Sequence, residues 1–198
     1  MKIGIQIALA ALAIFIAYLV WNSIDSKIVL TETVAKRNKV VQKRMEQIRD
    51  AQVEYKKLKG EYANSFDKLV GFLKNDSIIQ VKMEGEVPDS LLGREQEALA
   101  MGIIRRDTTK IPVREELFKE NFDAIVDSMM YIPFAGGKQF IIRAGELEKE
   151  KIKVKVFEVV AHFTDVYRGL NTDNEGYDMK DSLRIGSMEE PTTNGNWD

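Results

Sequence analysis

The chain has 198 residues, enough for one domain of modest core plus an appendage, and no cysteine, which excludes disulfide frameworks and thiol chemistry. Its 29 basic and 31 acidic residues leave a formal net charge of −2. No global basic field exists to attract nucleic acid, so none is expected as a partner.

The first element is an apolar run. From Ile3 to Ile24 there is no charged residue, and Gln6, Asn22 and Ser23 are the strongly polar ones. Ile3–Trp21, at ~1.5 Å per residue, reaches ~28 Å, close to the ~30 Å of a hydrocarbon core. Tyr18 and Trp21 stand near the exit, where amphipathic rings prefer the headgroup region. A cleaved signal peptide would end its shorter apolar run at a small-x-small site. Ala8-Leu9-Ala10 and Ala11-Leu12-Ala13 come too early for that. The expectation is therefore a retained single-pass transmembrane anchor over residues 1–24. Its flanks conflict on orientation. Lys27, Lys36, Arg37 and Lys39 after the helix outnumber Lys2 before it, which favours a cytoplasmic domain. A short basic start followed by an apolar run reads as a signal-anchor with the remainder outside. The reading adopted is an inner-membrane protein with an extracytoplasmic, periplasmic C-terminal domain.

No proline or glycine falls between Ile5 and Lys59, so the helix is expected to continue as an amphipathic segment over 25–60. Val34, Val41, Met45, Ile48 and Tyr55 form one apolar stripe, with Asn38 and Gln52 filling vacant seam positions. The stripe either packs on the chain's own domain or pairs with a second helix as a short coiled coil. Gly60 is the expected stop.

Residues 61–170 read as an α+β globular domain with a small antiparallel sheet. Ser65 caps a short helix over Ser65–Lys74 with Phe66, Leu69, Val70 and Leu73 on one face. Ile78–Met83 alternates as a strand. Pro88-Asp89-Ser90 opens a helical stretch that closes near Gly102. Ile103–Arg106 and Lys110–Val113 read as extended around a Thr-Thr turn, and Glu115–Ser128 as helix or loop. Met130–Phe134 and Lys138–Ala144 form the clearest predicted hairpin, turning at Ala135-Gly136-Gly137. Glu146–Lys151 reads as a charged turn. Ile152–Val160 is a strand with Ile152, Val154, Val156 and Val160 on one face. The segment 171–198 reads as a polar, loop-like tail.

Little here points to chemistry. His162 is the only histidine, which excludes a His–His metal site. No GxSxG, Walker-type, GxGxxG or HExxH pattern occurs, and the Gly136-Gly137-Lys138 turn lacks the Ser/Thr of a phosphate loop. No enzyme activity, organic cofactor or small-molecule substrate is expected. In the tail, Asn171, Asp173, Glu175 and Asp178 place oxygen ligands around Gly176, a spacing that suits calcium, although Ser182 stands where a full loop needs glutamate.

The N-terminal third resembles type IV pilins and the pseudopilins of type II secretion. The residues that carry the resemblance are the apolar helix running into an amphipathic one, Arg49-x-x-Gln52-x-x-Tyr55, Gly60-x-Tyr62 and Phe66-x-x-Leu69. The prepilin peptidase motif is absent: Gly4 is followed by Ile5-Gln6-Ile7-Ala8-Leu9, with no glutamate. The resemblance implies a long helix half buried in the membrane, a small sheet on its outer half, and a structural role. The expected function is thus a scaffolding subunit of an envelope complex, partnered by the membrane and by other subunits, including its own copies. The alternative is an anchored extracytoplasmic binding module that captures a ligand or calcium through the Asn171–Asp178 loop. Met45, Ile48, Tyr55 and Phe66 are the expected interaction residues on the helical face, with Ile24 and Ile28 against a partner anchor.

Overall fold

The computed structural model describes residues 2–118, 120–149, 151–172 and 176–198. One helix dominates it. α1 runs unbroken over Lys2–Lys59, a length of ~87 Å at ~1.5 Å per residue. It ends where Gly60 adopts φ +78° and its N–H donates to the Lys56 carbonyl at 2.8 Å, with Lys56, Lys57 and Lys59 at the negative end of the helix dipole.

The stripe that the sequence predicts is core. Val41, Met45, Ile48, Ala51 and Gln52 are wholly buried, and Val34 and Tyr55 nearly so. A strongly polar residue survives there because its amide is fully used. Gln52 Nε2 donates to the Ala63 carbonyl at 2.7 Å, and its Oε1 accepts from the Ala63 N–H at 2.8 Å. This two-point clamp fixes the chain reversal after Gly60. It leads to α2, Phe66–Asn75, whose Ser65 cap accepts from the Lys68 N–H. Phe66, Leu69, Phe72 and Leu73 then face α1, and the Phe72 ring meets Tyr55 edge-on at 5.2 Å.

The main sheet is a meander of β3 (Ile141–Lys149), β4 (Ile152–His162) and β5 (Ser182–Gly186), all antiparallel. Cross-strand register sorts its faces. Ile142, Ala144, Phe157, Val159, Ala161, Leu183 and Ile185 share one face and join the core beneath α1. Val154, Val156 and Val160 occupy the other face, so the β-branched run marks the strand correctly but not its core side. Met188 crosses that outer face: a Cβ on Gly145 would come within 3.1 Å of its methyl.

A second, two-stranded ribbon lies outside this core. β1 (Ser77–Glu84) pairs with β2 (Arg105–Pro112). Between them sit a 3-10 turn at Asp89–Leu91 and α3, Glu95–Ala100, which close a satellite cluster of Leu91, Ala98 and Ile104. Two short helices, α4 (Val113–Glu116) and α5 (Phe122–Ser128), bring the chain back to the core through buried Val113, Phe122 and Val126. α6, Phe163–Val166, follows β4.

Four local expectations are revised. The predicted hairpin at Gly136-Gly137 has the two positive φ values expected of it, but the flanks form one bridge, Tyr131 with Gln139. Pro133 carries no N–H and Phe134 sits at φ +69°, which ends a ladder there. The longer hairpin joins β3 to β4 and reverses beside Lys151, at φ +68°. Glu146–Lys149 therefore belongs to β3 rather than to a turn, its charges solvated at the open end of the ribbon. Thr108 and Thr109 lie inside a continuous β2. Finally, the segment read as a loop-like tail contains β5: Leu183 and Ile185 are two apolar residues at strand spacing, enough to seat a strand that average polarity conceals.

Candidate functional site

Two surfaces stand out among the described residues: the length of α1 that the head leaves uncovered, and the outer rim of the head. Ile3–Trp21 is long and apolar enough to cross a membrane, and none of it is buried against the rest of the chain. Its side chains that are described point outward over every azimuth, from Ile3 and Leu9 to Phe15 and Trp21. A helix apolar all round is stable only where its surroundings are apolar too. Between Trp21 and Val34, the first buried residue among those described, α1 advances ~20 Å, a spacer between the apolar segment and the head.

Polar clamps set the join of spacer and head. Arg37 Nη1 donates to the carbonyls of Val166 at 3.0 Å and Arg168 at 2.9 Å, and its guanidinium lies over the Phe134 ring at 5.0 Å. Arg168 Nη1 in turn donates to the Ala135 carbonyl at 3.0 Å. Two turns further on, Arg44 Nη1 donates to the Ser128 carbonyl, and burial holds its guanidinium below the ordinary arginine pKa. Tyr167 packs beside Tyr177, and burial raises its phenol above the usual tyrosine value. Sequence pattern marks Gln52 only as a seam filler and Arg37 only as a flanking charge, and it does not mark Arg44 or Arg168. Each acts on a carbonyl or amide far away in the chain, and such a partner leaves no local spacing to read.

The residues expected to make interactions divide sharply. Met45, Ile48, Tyr55 and Phe66 are consumed by the chain's own core, which decides the stripe in favour of intramolecular packing. Ile28 stands 52% exposed on the spacer. The side chain of Ile24 lies outside the described residues. Of the calcium set, Asp173 and Glu175 lie outside the described residues. Asp178 Oδ1 accepts from the Lys180 N–H at 2.9 Å and Asn171 has its own interaction, and the described residues contain no cluster of three acidic or histidine side chains fit to hold a metal.

On the rim, the outer face of the main sheet carries a polar trough of about 330 Å³ lined by Arg143, Glu158, His162, Ser182, Arg184 and Glu189. Its charges balance, Arg143 Nε standing 3.7 Å from Glu158 Oε2, so it selects for neither sign of ligand. At the far end of the same sheet, Lys155 bonds Glu146, and this hydrogen bond holds the Glu146 carboxyl below the usual carboxylate range.

No family model, no curated protein and no solved structure matches this chain. Fold and function therefore rest on the geometry. What that geometry defines is an α+β head on a long N-terminal helix whose first part is apolar enough to span a bilayer.

Proposed function

We propose that this chain is a single-pass membrane protein that serves as a structural, scaffolding subunit of an envelope assembly, pilin-like in build, with its head on the extracytoplasmic side of the inner membrane. The observation that carries the reading is the division of labour along α1. Residues 3–21 touch nothing in the head, while residues 34–55 supply its central core element. One rigid rod thus couples an apolar end to a folded end with no hinge residue between them. That coupling suits a part that transmits position more than a part that captures a diffusing ligand, and the balanced trough supplies no competing chemistry. Ile28 and the membrane-buried face near Val20 are where neighbouring anchors would meet.

The test combines topology with proximity. A C-terminal reporter active only outside the cytoplasm is expected, together with self-crosslinking of Val20→Cys or Ile28→Cys chains in native membranes. A reporter active in the cytoplasm would overturn the placement. Monomeric Val20→Cys and Ile28→Cys chains under oxidation would overturn assembly through the anchor.

A further inference from the structure

We infer that the head carries both halves of a subunit-to-subunit β-joint, in which β2 of one copy adds to the free edge of β3 in a second copy. The inference rests on the scaffolding reading above and names the partner as another copy of this chain.

The main sheet has two edges, and they differ. β5 is covered, because the Gly186 N–H donates to the Asn194 carbonyl and the Asn196 N–H to the Arg184 carbonyl, both at 2.9 Å. These bonds also fix the direction of every backbone group in the sheet. If Arg184 and Gly186 face outward, then Leu183 and Ile185 bond to Ala161 and Val159 on β4. Val160 and Glu158 must then bond across to Ile141 and Arg143 on β3. Alternation leaves Ile142, Ala144, Glu146 and Glu148 with their N–H and C=O groups directed away from β4. Among the described residues none of these groups meets a partner. β3 is an uncovered edge of nine residues, the condition under which strands recruit other strands.

The ribbon presents the complement. The Val113 N–H donates to the Asp76 carbonyl at 3.1 Å, one step beyond the Ser77–Pro112 pair. By the same alternation, Arg105, Asp107, Thr109 and Ile111 bond to β1, and Arg106, Thr108 and Lys110 turn their backbone groups outward. Arg105 through Lys110 are exposed. A two-stranded ribbon is marginal by itself and gains from a third strand.

Length, direction and charge agree. β2 has eight residues against nine in β3. Set antiparallel with Thr108 opposite Glu146, the outward groups of Arg106, Thr108 and Lys110 meet those of Glu148, Glu146 and Ala144. This register places Arg106 against Glu148 and Lys110 diagonal to Glu146, where opposite charges stabilise a cross-strand pair. Neither Arg106 nor Glu148 has an ion-pair partner among the described residues. The joint is heterologous: each copy donates one β2 and accepts at one β3, so copies add head to tail, in an open row or a closed ring.

The absence of native cysteine makes the test direct. Full-length Thr108→Cys and Glu146→Cys chains, carrying different tags, are co-expressed and mildly oxidised in membranes. Directly opposed strand residues lie about 5.5 Å apart at Cα, within disulfide range. A disulfide joining the two tags is expected, at least about tenfold above a control pairing Glu95→Cys with Glu146→Cys. Adding Arg106→Glu to the first chain should lower the yield several-fold, and Glu148→Lys in the second should restore it. No disulfide above the control, or a yield indifferent to Arg106→Glu, overturns the joint. Val20→Cys chains run in parallel separate the two ideas. If anchors crosslink while the strand pair does not, only the joint falls. If neither crosslinks, the scaffolding reading falls with it.

Discussion

The two ends of α1 have the same backbone and opposite fates. Residues 34–55 alternate apolar and charged positions, and their apolar stripe disappears beneath a sheet. Residues 3–21 are apolar on every side and bury none of it. Helix formation is therefore not what distinguishes the parts; the medium each demands is. One end covers its apolar face with protein; the other keeps an uncovered span long and apolar enough to cross a bilayer.

Substitutions that affect one end and spare the other sharpen this contrast. The largest effect belongs to Ile48→Asp, which puts an unpaired carboxylate into a fully buried position. A loss of about 4 kcal/mol or more is expected, a large part of the stability of a domain this size. Urea unfolding of the head should collapse while the chain stays in the membrane pellet. Leu12→Asp reverses the pattern. It places a charge near the middle of the apolar segment at about 3 kcal/mol against insertion, so membrane retention should fall while the head melts as before.

Gln52→Leu comes next. It keeps the volume but strands the N–H and carbonyl of Ala63, at about 2–4 kcal/mol for two buried groups. Were the loss below about 0.5 kcal/mol, the clamp would not be holding the reversal after Gly60. The smallest effect is Ser65→Ala. Its cap bond to the Lys68 N–H is long, at 3.4 Å, which puts the expected loss near the low end of cap values, about 0.5 kcal/mol.

Legibility followed the range of the interactions. The apolar helix Ile3–Trp21, the stripe from Val34 to Tyr55 and the Ser65 cap are set by spacing within a few residues, and sequence displays such spacing directly. β5 escaped because Leu183 and Ile185 earn their place by filling the space beside Val159 and Ala161, a fact about a strand some twenty residues earlier. The hairpin at Gly136-Gly137 is present in its inner part, where Tyr131 bridges Gln139, but from Ile141 onward the chain pairs with β4, a partner that local spacing does not display. Met45, Ile48, Tyr55 and Phe66, expected to meet other subunits, lie inside the chain's own core. The uncovered edge of β3 left no mark in composition, because an edge is defined by a neighbour that does not arrive.

The account depends most on the apolar end of α1 residing in lipid as part of the intact chain. Alkaline carbonate extraction of native membranes, followed by sizing and N-terminal mapping of the retained species, tests it directly. The uncut chain is expected in the pellet, its terminus ahead of Ile3. Release of the intact chain into the wash, or a terminus mapping beyond Trp21, would contradict it.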